Sequence, residues 1–179
     1  MRNTRQLSLI LNNLLYLQEV RSSEIRRTPI IIHDTLRQLI AEMQSVARTA
    51  ELELVATIAP TGAFSGDSIG LGQAFRALID NAIKFTPAGG RVVVQVSEQG
   101  RNIILRVEDN GIGIAAEHHQ KIFVPFYRVD DSLARPYAGA GLGLAIVKHV
   151  VEAHDGSVSL SSTPGQGSCF TVVLPRPAG

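Results

Sequence analysis

Residues 103–114 read IILRVEDNGIGI, an apolar run that passes directly into a glycine-rich turn. Apolar residues recur at every second position before Asp109, which is the period of a half-buried strand. Gly111 and Gly113 let the backbone pass close to a flat ligand or adopt a positive φ. A carboxylate at a strand end can also accept a hydrogen bond from a ligand amine. The alternative is a tight turn from a strand to a helix that binds nothing.

The pattern on both sides of this strand predicts an α+β fold, a two-layer sandwich with helices on one face of a mixed sheet. Strands are expected at residues 30–32, 52–58, 92–96, 103–107, 157–161 and 168–174, with a turn-rich stretch from Pro60 to Gly66. Helices are expected at residues 3–27, 34–47, 67–85, 115–122 and 142–153, with Asp34 and Asp67 at the starts of two of them. The residues of the second helix expected to face inward are Leu36, Leu39, Ile40, Met43, Val46 and Ala47.

The composition excludes several classes of protein. The chain has 179 residues and a net charge of +1, which gives no electrostatic case for binding nucleic acid or an anionic membrane. A single cysteine, Cys169, rules out an internal disulfide framework and a cysteine metal cluster. No apolar stretch approaches the roughly 18 residues that a membrane span needs. We therefore expect a soluble, cytoplasmic domain.

A second polar cluster lies inside the helix expected at residues 67–85. Asn81 and Lys84 are three residues apart and therefore share one face of that helix. A side-chain carbonyl oxygen is a reasonable Mg²⁺ ligand where phosphates and waters supply the other ligands, and a lysine one turn along can meet a phosphate. The alternative is that both residues lie on a solvated helix face.

A third cluster, residues 139–144, reads GAGLGL at the start of a helix. Free N–H groups at a helix N-terminus form an anion site, and glycines let phosphates approach it. The run lacks the spacing and the preceding strand of a Rossmann fingerprint, and it lacks the Gly-Lys-Ser/Thr of a P-loop. The chain also has no His-Arg-Asp or Asp-Phe-Gly, so a fold like that of the eukaryotic protein kinases is excluded.

Five clusters occur in one order: Asn81 with Lys84, the Asp109 turn, residues 123–128 (FVPFYR), residues 139–144, and residues 163–170 (TPGQGSCF). They resemble the N, G1, F, G2 and G3 boxes of the histidine kinase catalytic domain. The resemblance covers the chain from about Pro29 to Pro175. That domain belongs to the ATPase group shared with gyrase, Hsp90 and MutL proteins. The resemblance implies the Bergerat ATP-binding fold and a two-component sensor histidine kinase that transfers the ATP γ-phosphoryl to a histidine.

The resemblance also implies a role for each site residue. Asn81 would hold Mg²⁺, and Lys84 and Arg128 would act on the phosphates as the catalytic cations. Asp109 would bind the adenine amine, with Phe85 packed beside the ring. The full set implied to bind the nucleotide is Asn81, Lys84, Phe85, Asp109, Gly111, Gly113, Arg128, Gly139, Gly141, Leu142 and Gly143. Residues 128–140 would form the lid over ATP.

The chain departs from the family pattern at two places. Ala77 stands where the N box often carries a second asparagine, which removes a polar group near the metal. None of the five histidines has the setting of a phosphoacceptor, which is a histidine followed at once by an acid in a stretch that ends in proline, and His154, which Asp155 follows, is interpreted as structural. Residues 1–28 therefore resemble only a remnant of the dimerisation and phosphotransfer hairpin, and residues 29–179 the ATP-binding domain. We expect no autophosphorylation by this chain alone.

The partners implied are ATP with Mg²⁺, the phosphoacceptor helix of a parent kinase, and the receiver domain of a response regulator. The parent would be a homodimer and can be anchored in the cell membrane. Two alternatives remain: an ATPase-type module that acts with a separate partner, and a nucleotide-binding scaffold without catalysis, for which Ala77 is the support. The stimulus, the cognate regulator and any phosphatase activity are beyond what the residues indicate.

Overall fold

A five-stranded mixed sheet with helices packed on one face forms the centre of the protein, in a computed structural model that describes residues 26–129 and 140–176. The strands are β1 (Thr28–Ile30), β2 (Glu53–Ile58), β3 (Phe64–Gly66), β4 (Arg91–Gln99), β5 (Asn102–Asp109), β6 (Ser157–Thr163) and β7 (Gly167–Pro175). The helices are α1 (Ile32–Thr49), α2 (Ser68–Phe85) and α3 (Gly143–Ala153), with 3-10 turns at Ala116–His118 and Lys121–Phe123. The expected α+β sandwich is confirmed.

The order of the main sheet is β2-β4-β5-β7-β6, which makes β5 the central strand. β2 pairs with β4 in parallel, and the other neighbours in this sheet are antiparallel. β1 and β3 form a separate antiparallel pair. Because β4 and β7 flank β5 on both sides, the end of β5 at Asp109 is removed from solvent.

The core lies between one face of the sheet and the three helices. Alternate residues of the strands point into it, as the period of two predicts. The buried strand residues of this face are Val92, Val94, Val96, Ile103, Leu105, Val107, Phe170, Val172 and Leu174. α2 and α3 pack against each other over this face and bury most of their apolar residues.

His154 closes the far end of this core and is only 2% exposed. Its Nδ1–H donates to the Val150 carbonyl at 2.7 Å, and its Nε2 accepts from the Asp67 N–H at 2.8 Å. Asp67 in turn caps α2, since its Oδ1 accepts from the Ile69 N–H at 3.0 Å. Both ring nitrogens are therefore used inside the fold, which agrees with a structural histidine.

The start of α1 differs from the expectation. The strand predicted at residues 30–32 lies at Thr28–Ile30, and Ile32 is already a buried residue of the helix. Ile31 occupies the cap position, and no side chain bonds there. Asp34 lies in the first turn instead, with its carboxylate facing His33 and Arg37. Burial of an isoleucine at the start of α1 outweighs the preference for a capping side chain.

Other local expectations were also wrong. The turn-rich stretch contains β3, which is too short to show a period but buries Phe64. Val46, expected to face inward, is exposed because α1 packs through a single stripe of apolar residues. The helix expected at residues 115–122 is two 3-10 turns.

Three further expectations fall on residues that the structure does not describe. The helix expected at residues 3–27 lies outside the described residues except for Arg26 and Arg27, which are not helical. Gly139 and most of the lid expected over residues 128–140 also lie outside the described part. Among the described residues, no helix has the length and apolar character that crossing a bilayer requires.

Gly167→Ala is expected to destabilise the domain far more than Gly165→Ala. Both glycines have positive φ, 86° and 76°, so alanine strains the backbone at either position. A Cβ at Gly167 would lie 1.9 Å from the Asp109 carbonyl oxygen, whereas one at Gly165 meets nothing within 4 Å. We expect the Gly167 variant to lose about 2 kcal/mol more in urea unfolding. Equal losses would show that the contact with Asp109 is not tight.

Candidate functional site

Asp109 lies at the end of the central strand and is 7% exposed. Its Oδ1 accepts from the Gly111 N–H at 2.9 Å, and the Ser168 N–H is a second backbone donor to the carboxylate. Burial raises the pKa of Asp109 above its ordinary value, the neighbouring charge of Glu108 raises it further, and the two backbone hydrogen bonds oppose the rise. A carboxyl group is thus held at a fixed place, in a setting that disfavours its charge.

The turn after Asp109 approaches other backbone so closely that only glycine fits. A Cβ at Gly111 would lie 2.2 Å from the Phe85 carbonyl oxygen, and one at Gly113 would lie 2.0 Å from the Thr163 carbonyl oxygen. The Ile112 N–H donates to the Phe85 carbonyl at 3.1 Å. The turn is therefore clamped between the C-terminus of α2 and the turn that joins β6 to β7.

The β6–β7 turn supports the site, a role that sequence reasoning did not assign to it. The Gly165 N–H donates to the Ile112 carbonyl at 2.8 Å, and the Ile114 N–H donates to Ser162 Oγ at 2.8 Å. Ser162 in turn donates to the Gly167 carbonyl at 2.8 Å. The Thr-Pro-Gly-Gln-Gly composition of this stretch predicts a turn, but it does not predict which segment the turn contacts.

α2 carries the polar cluster on its last two turns. Asn81 is half-buried, and Phe85 is 36% exposed at the end of the helix. Lys84 Nζ pairs with Asp80 Oδ2 at 2.5 Å, so this lysine has a carboxylate partner. Sequence reasoning did not assign a role to Asp80, although Asp and Lys four residues apart on a helix are a familiar pair.

The second glycine loop joins the start of α3 to the FVPFYR stretch. Gly141 has a φ of 68°, and its carbonyl accepts from the Phe126 N–H at 2.9 Å. Leu142 is buried in the cap position of α3, and its side chain offers no acceptor to the first N–H groups of the helix. The Tyr127 hydroxyl lies 2.7 Å from His118 Nδ1. The next residue, Arg128, is exposed.

α2 brings these parts together. A Cβ at Gly143, in the first turn of α3, would lie 3.6 Å from the Ala77 Cβ on α2. At the other end, the Phe85 carbonyl holds the Asp109 turn. Asn81 is four residues from both Ala77 and Phe85, so it lies about 6 Å along the helix axis from each contact. Along α2, Asn81 therefore lies between the contact with the Asp109 turn and the contact with the first turn of α3.

The cation chemistry of this site is limited. Among the described residues, no three histidine, cysteine or acidic side chains form a group that could hold a metal ion. An ion at this place would therefore take most of its ligands from a bound phosphate and water, with an amide oxygen such as that of Asn81 as the protein ligand.

Comparison with known proteins agrees with this geometry. The family of histidine kinase-, DNA gyrase B- and HSP90-like ATPases matches residues 66–178. The sensor-like histidine kinase SenX3 of Mycobacterium tuberculosis is 40% identical over 149 residues, which cover 83% of this chain and 36% of that protein. This chain thus spans about a third of the length of that curated relative.

Two solved structures share the fold. Full-length ShkA in complex with AMPPNP has a TM-score of 0.84 at 28% identity, over 99% of this chain and 38% of that chain. The mycobacterial sensor histidine kinase MprB has a TM-score of 0.70 at 31% identity, over 85% of this chain and 99% of that chain. The fold and family expected from the five clusters are confirmed: the chain belongs to the histidine kinase-, DNA gyrase B- and HSP90-like ATPases, and its ATP-binding catalytic domain is of the sensor histidine kinase type.

Proposed function

We propose that this chain binds Mg²⁺–ATP beside α2 and transfers the γ-phosphoryl group to a histidine on a dimerisation helix of its parent protein. The observation that carries the proposal is the position of Asn81, one helical turn from the buried Asp109 turn on one side and one turn from the uncapped start of α3 on the other. A nucleotide needs both ends of this arrangement, since its base requires a polar partner and its phosphates require N–H groups and cations.

Asp109 accepts a hydrogen bond from the adenine amine in this proposal. Its backbone donors keep the carboxylate oriented, and the clamped glycine turn holds it near Phe85, beside which the ring would pack. Because the carboxyl is buried, a ligand amine that reaches it replaces no strong contact with bulk water. Gly111 and Gly113 shape this wall and make no polar contact of their own with the ring.

Asn81, Lys84 and Arg128 act on the phosphates. Asn81 would hold Mg²⁺, which neutralises phosphate charge when bound. Lys84 is held beside the carboxylate of Asp80, and its remaining N–H groups can donate to a phosphate. N–H groups near Gly141, Leu142 and Gly143 supply further donors. Phosphoryl transfer requires positioning and charge neutralisation more than covalent chemistry, and this set of residues supplies both.

A scaffold that binds nucleotide without catalysis is the second candidate, because Ala77 presents only a methyl group on the side of α2 that faces Gly143. This part of the wall therefore has no polar side chain to act on the metal. An ATPase-type module that acts with a separate partner is compatible with the same site. The proposal includes the division of the chain into a remnant of the dimerisation hairpin, residues 1–28, and the ATP-binding domain, residues 29–179. It also includes a homodimeric, membrane-associated parent that passes the phosphoryl group to a response regulator.

Asn81→Ala should remove the Mg²⁺ dependence of ATP binding while the fold stays intact. Loss of a ligand that contacts a charged group costs roughly 1.5–3 kcal/mol, so we expect affinity in Mg²⁺ to fall at least about tenfold. Calorimetric titration with and without EDTA measures it. Gln73→Ala, an exposed amide two turns earlier on α2, is the matched control. If the Asn81 variant gains affinity from Mg²⁺ as strongly as the native chain, Asn81 is not a ligand.

Asp109→Asn should stabilise the domain at neutral pH and weaken ATP binding. Because burial raises the pKa of Asp109 in the folded state, folding is favoured while the group is protonated. That stability is present below the ordinary pKa of 3.8 and is lost as the pH rises through the folded value. The stability advantage of the amide in urea unfolding should therefore grow as the pH rises from the ordinary value of 3.8 through the folded pKa. If the difference in stability between the Asp109→Asn variant and the native chain did not change with pH, the pKa of Asp109 would not be raised by folding.

The transfer step is tested with radiolabelled ATP and a separately added hairpin that carries the matching phosphoacceptor histidine. We expect acid-labile phosphate on the hairpin, formed slowly because the two parts are not tethered. Arg128→Ala should lower the rate of transfer more than the affinity for ATP, since it acts on the transferred group. Tight Mg²⁺–ATP binding without any labelled hairpin would favour the scaffold.

A further inference from the structure

The C-terminus of α3 ends in a conformation that an aspartate rarely adopts. Asp155 has a φ of 60°, in the left-handed region that favours glycine. Its N–H donates to the Glu152 carbonyl at 3.0 Å, and the Gly156 N–H donates to the Val151 carbonyl at 2.9 Å. This pair of bonds is the Schellman ending of a helix, which usually places glycine at the position of Asp155. An aspartate there costs conformational energy that a glycine would avoid.

The Asp155 side chain makes a contact that glycine could not make. Arg27 Nη2 donates to Asp155 Oδ2 at 2.9 Å and to the carbonyl of Ala153 at 3.0 Å. The guanidinium thus binds the carboxylate and one of the last carbonyls of α3 together, at the end of the helix that favours a cation. Arg27 and Asp155 are 128 residues apart in the chain.

Arg27 lies directly before β1, and β1 is attached to the same end of α3 by a second route. β1 pairs with β3, with Thr28 opposite Gly66. The next residue, Asp67, donates its N–H to the buried ring of His154, at the end of α3. Residues 27–30 are thus held at the C-terminus of α3, and residues 1–26 join the domain at this point.

We propose that Arg27 and Asp155 form a latch that sets the direction in which residues 1–26 leave the catalytic domain. The partner of this surface is the chain's own N-terminal segment, and the two residues are positioning residues. α3 is one helix about 16 Å long, and its other end faces Ala77 beside the nucleotide site. The segment and the site are therefore placed relative to the same element. If residues 1–26 lead to a phosphoacceptor helix, the latch would also orient that helix relative to the nucleotide site. This consequence rests on the proposed function, but the latch itself does not.

The direction of the segment can be measured between two spin labels in the full chain. Ser22→Cys and Gln73→Cys, in a Cys169→Ser background, place one label before the latch and one on α2. We expect Arg27→Gln and Asp155→Asn each to lower the ratio of latched to unlatched distances by about threefold, the factor that an exposed ion pair supports. Combining them should add nothing further. Arg37→Gln, which removes an exposed pair with Asp34 on α1, is the matched control.

Asp155→Gly separates positioning from simple stabilisation. Glycine relieves the left-handed backbone and removes the carboxylate, so the thermal midpoint should rise while the distance distribution broadens. A contact that only stabilised the fold would move both readouts in the destabilising direction. Equal distributions in the native chain, Arg27→Gln and Asp155→Asn would overturn the latch. ATP titration of the same proteins should be unchanged, and failure to bind ATP would reject the proposed function while leaving the distance result intact.

Discussion

The hydrogen bond from the Ile112 N–H to the Phe85 carbonyl is the interaction on which the rest of the site depends. It joins the end of α2 to the turn after β5 at a separation that leaves no space for a side chain at Gly111. Without this approach, Asp109 would lie at the end of a strand with no relation to Asn81. Because the two backbones touch directly, the distance between the carboxyl and the amide does not depend on the rotamer of any intervening side chain.

Burial of Asp109 opposes the charge of a carboxyl group at the end of the central strand. A carboxyl group at the end of the central strand loses solvation, and two backbone donors compensate it only in part, since its pKa stays raised. An amide side chain would suit the fold better at this place, because it keeps an acceptor for the backbone donors without the charge. The fold alone does not need a buried carboxyl group at this position. A carboxyl group that weakens the fold and is held by specific backbone donors is typical of a binding site.

The elements that the sequence could predict are those in which local preference and burial agree. Asp67 is a good capping residue followed by a helical apolar pattern, and α2 begins there. Val92, Val94 and Val96 recur at every second position and predict a strand at residues 92–96, which lies within β4. At α1 the two preferences disagree, because Asp34 suits a cap while Ile32 needs burial, and burial prevails. The contact between Arg27 and Asp155 joins segments that are far apart in the chain, and no local sequence pattern predicts it.

The pairing of β5 with β7 has a consequence for the order of folding. Among the strand pairs of the described residues, it joins the segments most distant in sequence, whereas β4–β5 and β6–β7 are local hairpins. Closing a long loop carries an entropic cost that local contacts do not, so this pair is expected to form late. It is also the pair that brings Gly167 and the Ser168 N–H to Asp109. Partly folded chains therefore have no complete nucleotide site, and a nucleotide shifts the folding equilibrium by mass action towards the finished domain alone.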